Sequence, residues 1–301
     1  MLRRTLKALD PDGFHDVAYV EWGDPRLRSA VVCVHGLTRN GRDFDALASA
    51  LAAEGRRVIC PDIVGRGKSG RLRNPVHYGY PQYCADMAAL LARLDVDHVD
   101  WVGTSMGGLI GMLLASRPGH PIRRLVMNDV GPFIPKAALE RIASYVSLDP
   151  AFPDLEAAEQ AFRRTYAGFG DLTDAQWRHL VRHGTVRRAD GSLGFVYDPG
   201  IALAFTAAPL GDMDLWPAWD LVSCPTLVLR GADSDLLSAE TAAEMAERGP
   251  KAQIVEIPNC GHAPALMDEG QIEVVRAYLL AEGRPVPFPG SKPVIEPASS
   301  P

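Results

Sequence analysis

The chain has no excess of basic charge: 31 Lys and Arg stand against 37 Asp and Glu, a formal net charge of −6. Such a balance offers no grip on a polyanion, so neither nucleic acid nor an anionic membrane surface is expected as a partner. Long hydrophobic runs are also missing. No uninterrupted apolar stretch approaches the roughly 20 residues that cross a bilayer. The opening Met1-Leu2-Arg3-Arg4-Thr5-Leu6-Lys7 lacks the apolar centre of a signal peptide, which makes the cytoplasm the expected location. Cysteine is scarce and scattered: Cys33, Cys60, Cys84, Cys224 and Cys260 are odd in number and contain no C-x-x-C pair. That pattern suits neither a disulfide framework nor a zinc site, and buried thiols are the expectation. H-E-x-x-H, G-x-x-x-x-G-K-[ST] and the dinucleotide glycine fingerprint are all absent, so no metal and no organic cofactor is implied.

What is present is a chain of 301 residues, 47% hydrophobic and 23% charged, enough for one large domain with an insertion. Asp16 to Trp22 alternates as a first strand and Gly23-Asp24-Pro25 closes it. Ser29 to Val34 is a continuous apolar run, as suits a strand buried on both faces of a parallel sheet. Phe44, Leu47, Ala48 and Leu51 follow at helical spacing, then a strand at Arg57–Cys60 and a turn-rich loop, Asp62 to Ser69. A second amphipathic helix (Tyr83, Met87, Leu90, Leu91, Leu94) leads to a strand at Val99–Val102, and another strand runs from Ile122 to Asn128. Strand and helix in alternation predict a right-handed parallel α/β sheet, with chemistry at the carboxyl ends of its strands.

One of those ends carries Gly103-Thr104-Ser105-Met106-Gly107. A strand that turns abruptly into a helix strains its turn residue, and small neighbours two positions away permit the close approach. Ser105 is thereby raised on the tip of the turn, and the N–H groups of the following helix, beginning with that of Met106, point at whatever it attacks. A serine hydroxyl needs a base to take its proton. Of the eight histidines, His262, in the loop Pro258-Asn-Cys-Gly-His-Ala-Pro264 after the strand Ala252–Ile257, stands after a candidate acid at a strand end. The acid must orient the imidazole and stabilise its charged form. Asp233 and Asp235 both stand in the loop after the strand Leu227–Arg230.

His35-Gly36 after one strand, Asp62-x-x-Gly65-x-Gly67-x-Ser69 after the next, Gly103-x-Ser105-x-Gly107 after the third and the late Asp and His together resemble the α/β-hydrolase family, over residues 16 to 281. The resemblance implies an α/β fold, a mostly parallel central sheet flanked by helices, with a helical cap inserted after the sixth strand. The corresponding division is a core of residues 1–132 and 216–283, a cap of 133–215 and a Pro-rich tail of 284–301. It favours Asp235 as the triad acid, on the S-D-x-L-S pattern, with Ser105 as nucleophile and His262 as base. It also assigns the oxyanion N–H groups to Leu37 and Met106, has His35 organise its own loop, and has Asp62 brace the neighbouring one. Serine at the elbow, where epoxide hydrolases and haloalkane dehalogenases of this fold carry aspartate, argues against epoxide or alkyl halide substrates.

The cap is expected to supply selectivity. Its helical segments are Pro135–Val146, Leu155–Tyr166, Thr173–Arg182 with a Thr173/Gln176 capping box, and Pro199–Ala207. Aromatics from Phe133 to Trp219 lie in or beside it, mostly as core with a minority facing a pocket. Arg178, His179, Arg182, His183, Arg187 and Arg188 read as a solvated helix face or as a steering patch for an anionic substrate. The expected activity is hydrolysis of a small-molecule carboxylic ester, lactone or polyester fragment through an acyl-enzyme. The same three residues also serve C–C bond hydrolases of aromatic ring-cleavage products, and the fold also occurs in non-catalytic ligand receptors.

Overall fold

Backbone pairing begins earlier in the chain than alternation suggests. The computed structural model describes residues 1–280, and its first two strands, β1 (Leu2–Asp10) and β2 (Gly13–Trp22), form an antiparallel hairpin with Leu2 opposite Glu21 and Asp10 opposite Gly13. β1 is an edge strand studded with Arg3, Arg4 and Lys7 and buries only Leu6 and Ala8. Charge of this kind blunts a sheet edge against further pairing, and it also hides the strand from a hydrophobic pattern search.

The interior strands are the continuous apolar runs. β3 (Ser29–Val34) and β4 (Arg57–Pro61) are buried almost throughout, as are β5 (His98–Thr104) and β6 (Ile122–Asn128) toward their carboxyl ends. Successive side chains point to opposite faces. Val32 and Val34 pack on one face with α2 (Tyr80–Leu94) and α3 (Met106–Ala115), while Val31 and Cys33 face α1 (Asp45–Ala53).

Between β6 and the next strand of the sheet the chain leaves it. β7 (Phe133–Ile134) opens an insertion containing α4 (Lys136–Val146), α5 (Leu155–Thr165), α6 (Asp174–Gly184), the hairpin β8 (Thr185–Arg187) and β9 (Leu193–Phe195), and α7 (Leu203–Thr206); β10 (Met213–Asp214) pairs with β7 at its base. Thr173 and Gln176 close a reciprocal capping box on α6. The β8–β9 hairpin turns at Ala189-Asp190-Gly191-Ser192, where alternation is too short to be read as strand. Phe162, Tyr166, Trp177 and Leu180 give the insertion a small apolar core of its own.

After α8 (Trp216–Trp219) the sheet resumes with β11 (Thr226–Gly231), α9 (Ala239–Glu247), β12 (Gln253–Ile257) and α10 (Glu269–Leu280). The eight-stranded sheet has the order β1-β2-β4-β3-β5-β6-β11-β12, parallel from β4 onward. Helix α10 covers the same face as α1, burying Val274, Val275 and Tyr278. The expected Pro-rich tail, 284–301, lies outside the described residues. The carboxyl ends of β3, β4, β5, β6, β11 and β12 all point the same way, and the site forms there.

Candidate active site

The turn from β5 into α3 is as tight as its glycines require. Ser105 sits at φ 51 and ψ −118, a backbone conformation that costs a non-glycine residue energy and persists only where its surroundings impose it. A side chain at Gly103 would meet the backbone of Gly107 at 2.3 Å, and one at Gly107 would meet the Val34 carbonyl oxygen at 2.0 Å. The strand and the helix pass too close for any Cβ. The Ser105 N–H donates to the Asn128 carbonyl at 2.9 Å, tying the elbow to the end of β6.

His262, in the loop after β12, reaches the serine. Its Nε2 lies 2.9 Å from Ser105 Oγ, and its Nδ1 lies 2.7 Å from a carboxylate oxygen of Asp129. This corrects the expectation at the acid position. Asp235 is not near His262: it is half exposed and ion-paired with Arg141 of α4. Asp233 is exposed, and it is tied to the histidine loop through its backbone, its N–H donating to the Cys260 carbonyl at 2.8 Å. Asp129 directly follows β6, is fully buried, and adopts φ 57, a left-handed conformation that aspartate tolerates better than most residues.

Three donors converge on the Asp129 carboxylate. Besides His262, the Gly231 N–H donates to it at 2.8 Å and the Ser234 hydroxyl at 2.7 Å. A buried carboxylate is tolerated only when its lone pairs are filled in this way. The loop after β11 thus contributes donors rather than the acid. A signal was present in the sequence, an aspartate one residue beyond an apolar strand, as Asp62 stands after β4. The chain order of serine, acid and histidine is the same for Asp129 as for Asp235, so order did not discriminate between them.

Around the elbow the loops after β3 and β4 are interlocked. His35 donates from Nδ1 to the Gly36 carbonyl at 2.7 Å and accepts at Nε2 from the Ile63 N–H at 2.9 Å, which requires the neutral ring. Burial first, and the nearby arginines Arg66 and Arg39, push its pKa down to about 3. Asp62 accepts from the N–H groups of Gly41 (2.8 Å) and Lys68 (2.7 Å), and burial raises it to about 6 against those two bonds. Gly67, at φ 58, leaves room for that carboxylate, since an added Cβ would lie 2.2 Å from it.

Arg66 is almost fully buried and touches both residues expected to supply oxyanion donors. Its Nε–H donates to the Leu37 carbonyl at 2.8 Å, Nη2 lies 3.7 Å from the Met106 sulfur, and Nη1 donates to Val64 O and the Tyr83 hydroxyl. Its guanidinium also lies over the Tyr83 ring, 4.9 Å from the centroid. Met106 is the first residue of α3, so no earlier turn of the helix accepts from its N–H.

The serine and histidine open into a cavity of about 70 Å³ walled by Leu37, Arg39, Arg141, Tyr145, Tyr166 and Phe169. The insertion comes within contact of the loop that carries His262 and of the one after β3: Gly168 accepts from the Gly261 N–H at 2.9 Å, and the Tyr166 and Thr38 hydroxyls lie 3.1 Å apart. Of the aromatics between Phe133 and Trp219, Tyr145, Tyr166 and Phe169 line this cavity; Tyr166 also packs with Phe162 and Trp177 in the insertion's own core, and Trp219 belongs to the main one. A larger cleft of about 880 Å³ lies between α5 and α6, lined by Arg178, His179, Arg182 and His183 of the basic cluster. It contains neither Ser105 nor His262, so its size carries no weight for the chemistry, and the cluster does not face the serine.

One trio has the composition of a metal site. Ligand atoms of Asp45, His179 and His183 come within 4.8 Å of one another. Arg42, however, grips the Asp45 carboxylate with two of its nitrogens, and burial together with the positive groups Arg42, His179 and Arg182 pushes His183 down to about 4. A site already held by guanidinium is poorly suited to a second cation.

A hydroxyl on a strained elbow, hydrogen-bonded to an imidazole that is itself held by a buried carboxylate, on a parallel sheet with an insertion after β6, defines a class. A family model of the alpha/beta hydrolase fold matches residues 29–268, and the chain belongs to that family. It is 46% identical over 281 residues to the 3-hydroxybutyrate-oligomer hydrolase of Cupriavidus necator, covering 91% of this chain and 96% of that protein. It is 28% identical over 235 residues to the 2-hydroxy-6-oxo-2,4-heptadienoate hydrolase of Pseudomonas putida, 75% of this chain and 79% of that one. The structure of an alpha/beta hydrolase from Novosphingobium aromaticivorans superposes with a TM-score of 0.82 at 38% identity, covering 92% of this chain and 98% of that one.

Proposed function

We propose that this protein is a serine hydrolase that cleaves carboxylic esters through an acyl-enzyme on Ser105, with short oligomers of hydroxy acids as its substrate class. The observation that carries the reading is the unbroken relay from Ser105 Oγ through His262 to the buried Asp129. Ser105 Oγ attacks the ester carbonyl as His262 Nε2 takes its proton, and Asp129 stabilises the imidazolium. The N–H groups of Met106 and Leu37 receive the oxyanion, and Arg66 acts as a positioning residue that holds both. Collapse of the intermediate breaks the C–O bond, His262 returns the proton to the departing alkoxide, and water repeats the sequence on the acyl-enzyme.

Residues 133–215 act as the cap that roofs the serine, on the evidence of the Gly168 and Tyr166 contacts. The oligoester class is supported by the 46% identity with a 3-hydroxybutyrate-oligomer hydrolase over nearly the whole of both chains. Among the described residues all five cysteines are free, which suits a reducing compartment such as the cytoplasm. No helix of the described residues is long and apolar enough to cross a membrane.

The test is labelling by a fluorophosphonate together with turnover of p-nitrophenyl esters of several acyl lengths, on wild type and Ser105→Ala. Both signals are expected to vanish in the variant; a folded wild type that shows neither would overturn the reading. Hydrolysis of a vinylogous diketone with no turnover of esters would move the assignment to C–C bond cleavage; the Pseudomonas putida relative is named a 2-hydroxy-6-oxo-2,4-heptadienoate hydrolase.

A further inference from the structure

We infer that Arg141 binds the free carboxylate end of the substrate, which makes the preferred substrates acid-terminated oligoesters cut at a fixed spacing from that end. The inference rests on the ester-hydrolase reading above and adds to it a recognition element. Two guanidinium groups stand on the wall of the Ser105 cavity, Arg39 and Arg141. Arg39 is held within the wall: Asp43 accepts from its Nε and Nη2 at 2.8 and 2.7 Å, the Leu180 carbonyl lies at 3.4 Å, and its guanidinium lies over the rings of Phe162 and Tyr166 at about 5 Å. Buried, clamped by Asp43 and lying over two rings, it is part of the wall.

Arg141 differs on each count. Its side chain is 40% exposed, and its carboxylate partner is Asp235, which accepts from Nε and, at 3.0 Å, from Nη2. A guanidinium has five N–H donors in a rigid fork, so one carboxylate on one edge fixes its orientation and leaves other donors for a second acceptor. Tyr145, one helical turn further along α4, has its hydroxyl oxygen beside the same guanidinium, which donates to it; burial raises its pKa to about 12, so its own proton stays in place to be donated. Asp235 offsets much of the Arg141 charge, and recognition therefore relies on directed hydrogen bonds more than on net attraction.

The substrate chemistry fits that arrangement. A linear oligoester of a hydroxy acid has a hydroxyl at one end and a carboxylate at the other. In its terminal ester, the carboxylate and the departing alkoxide oxygen belong to the same unit. Anchoring that carboxylate at Arg141 while Ser105 attacks the neighbouring carbonyl releases the terminal hydroxy acid once His262 has protonated its oxygen. Wide variation of the rest of the chain is then tolerated, since the anchor is local.

The experiment compares kcat/KM for the linear trimer of 3-hydroxybutyrate as the free acid and as its methyl ester, in full-length wild type, Arg141→Gln and Arg141→Lys. Wild type is expected to favour the free acid by about 10- to 100-fold, the range of hydrogen bonds to a charged group. Arg141→Gln should bring that ratio close to one, chiefly through KM, and Arg141→Lys, which keeps the charge, should hold an intermediate ratio and guards against misfolding of the first variant. A wild-type ratio near one, or a ratio that survives Arg141→Gln, overturns the assignment. Turnover of p-nitrophenyl butyrate by wild type, read in parallel, separates the two levels: its absence removes the ester-hydrolase reading, whereas its presence without a free-acid preference removes only the role of Arg141.

Discussion

Two strands that lie side by side, β6 and β11, end in loops that both contain aspartate, yet only one delivers a carboxylate to the histidine. At the end of β6, Asp129 is the next residue after the strand; it is fully buried and ringed by His262, Gly231 and Ser234. At the end of β11, Asp235 is four residues further on, half exposed and paired with Arg141 instead of His262. The difference teaches what a triad acid requires. It must be desolvated and prevented from rotating, and that takes donors supplied by a neighbouring loop, here the very loop that carries the rejected candidate.

The strongest way to break this comparison is to exchange the charges for amides. Asp129→Asn is expected to lower kcat on a p-nitrophenyl ester by about 10³- to 10⁴-fold, the scale known for loss of the orienting carboxylate in the serine protease template. Asp235→Asn should lower it by less than about fivefold. Steady-state kinetics on the two purified variants decides, and the reverse ranking would return the acid to the β11 loop.

A smaller effect is expected from the support of the oxyanion residues. Arg66→Met keeps much of the volume but removes the bond to Leu37 O, and kcat should fall about 10- to 100-fold with KM changing much less. A loss confined to KM would assign Arg66 to substrate binding instead. Next comes the loan from one loop to the other. Ser234→Ala deletes one of the donors to Asp129 and should cost about tenfold in kcat, in keeping with a hydrogen bond to a charged acceptor. No change would mean that His262 and Gly231 suffice to hold the carboxylate.

The smallest effect concerns stability and pH. His35 is buried with its pKa pushed from 6.5 to about 3, so between those values the unfolded chain binds a proton that the folded one refuses. That contribution to stability is present above about 6.5 and is lost as the pH falls toward 3. Asp62 acts in the opposite sense: raised to about 6, it binds its proton more readily in the folded state, so its penalty fades on acidification. His35→Gln should therefore flatten or reverse the acid decline by up to one proton, about 1.4 kcal/mol per pH unit. Urea unfolding between pH 6.5 and 4.5 reads the slope, and an unchanged slope would mean that His35 is not held neutral by the fold.

Much of this site was legible before any coordinates. Ser105 between Gly103 and Gly107, and His262 in a strand-end loop, follow from steric and chemical demands that act within a few residues of chain. The interior strands were equally plain, because burial on both faces leaves a continuous apolar run. β1 was not, because an edge strand is written in charges, and the β8–β9 hairpin was not, because strands of three residues carry no period.

What the sequence by itself determined was the fold class and the placing of Ser105 on a strand-to-helix turn and of His262 in a strand-end loop, each set by local geometry and residue type. The tertiary structure alone decided which carboxylate His262 meets, the partner of Asp235, and which aromatics and arginines face the serine. Those depend on which loops come together across the carboxyl edge of the sheet. Strand order brings β6 beside β11, and only that adjacency puts Gly231 and Ser234 around Asp129 and leaves Asp235 free to hold Arg141.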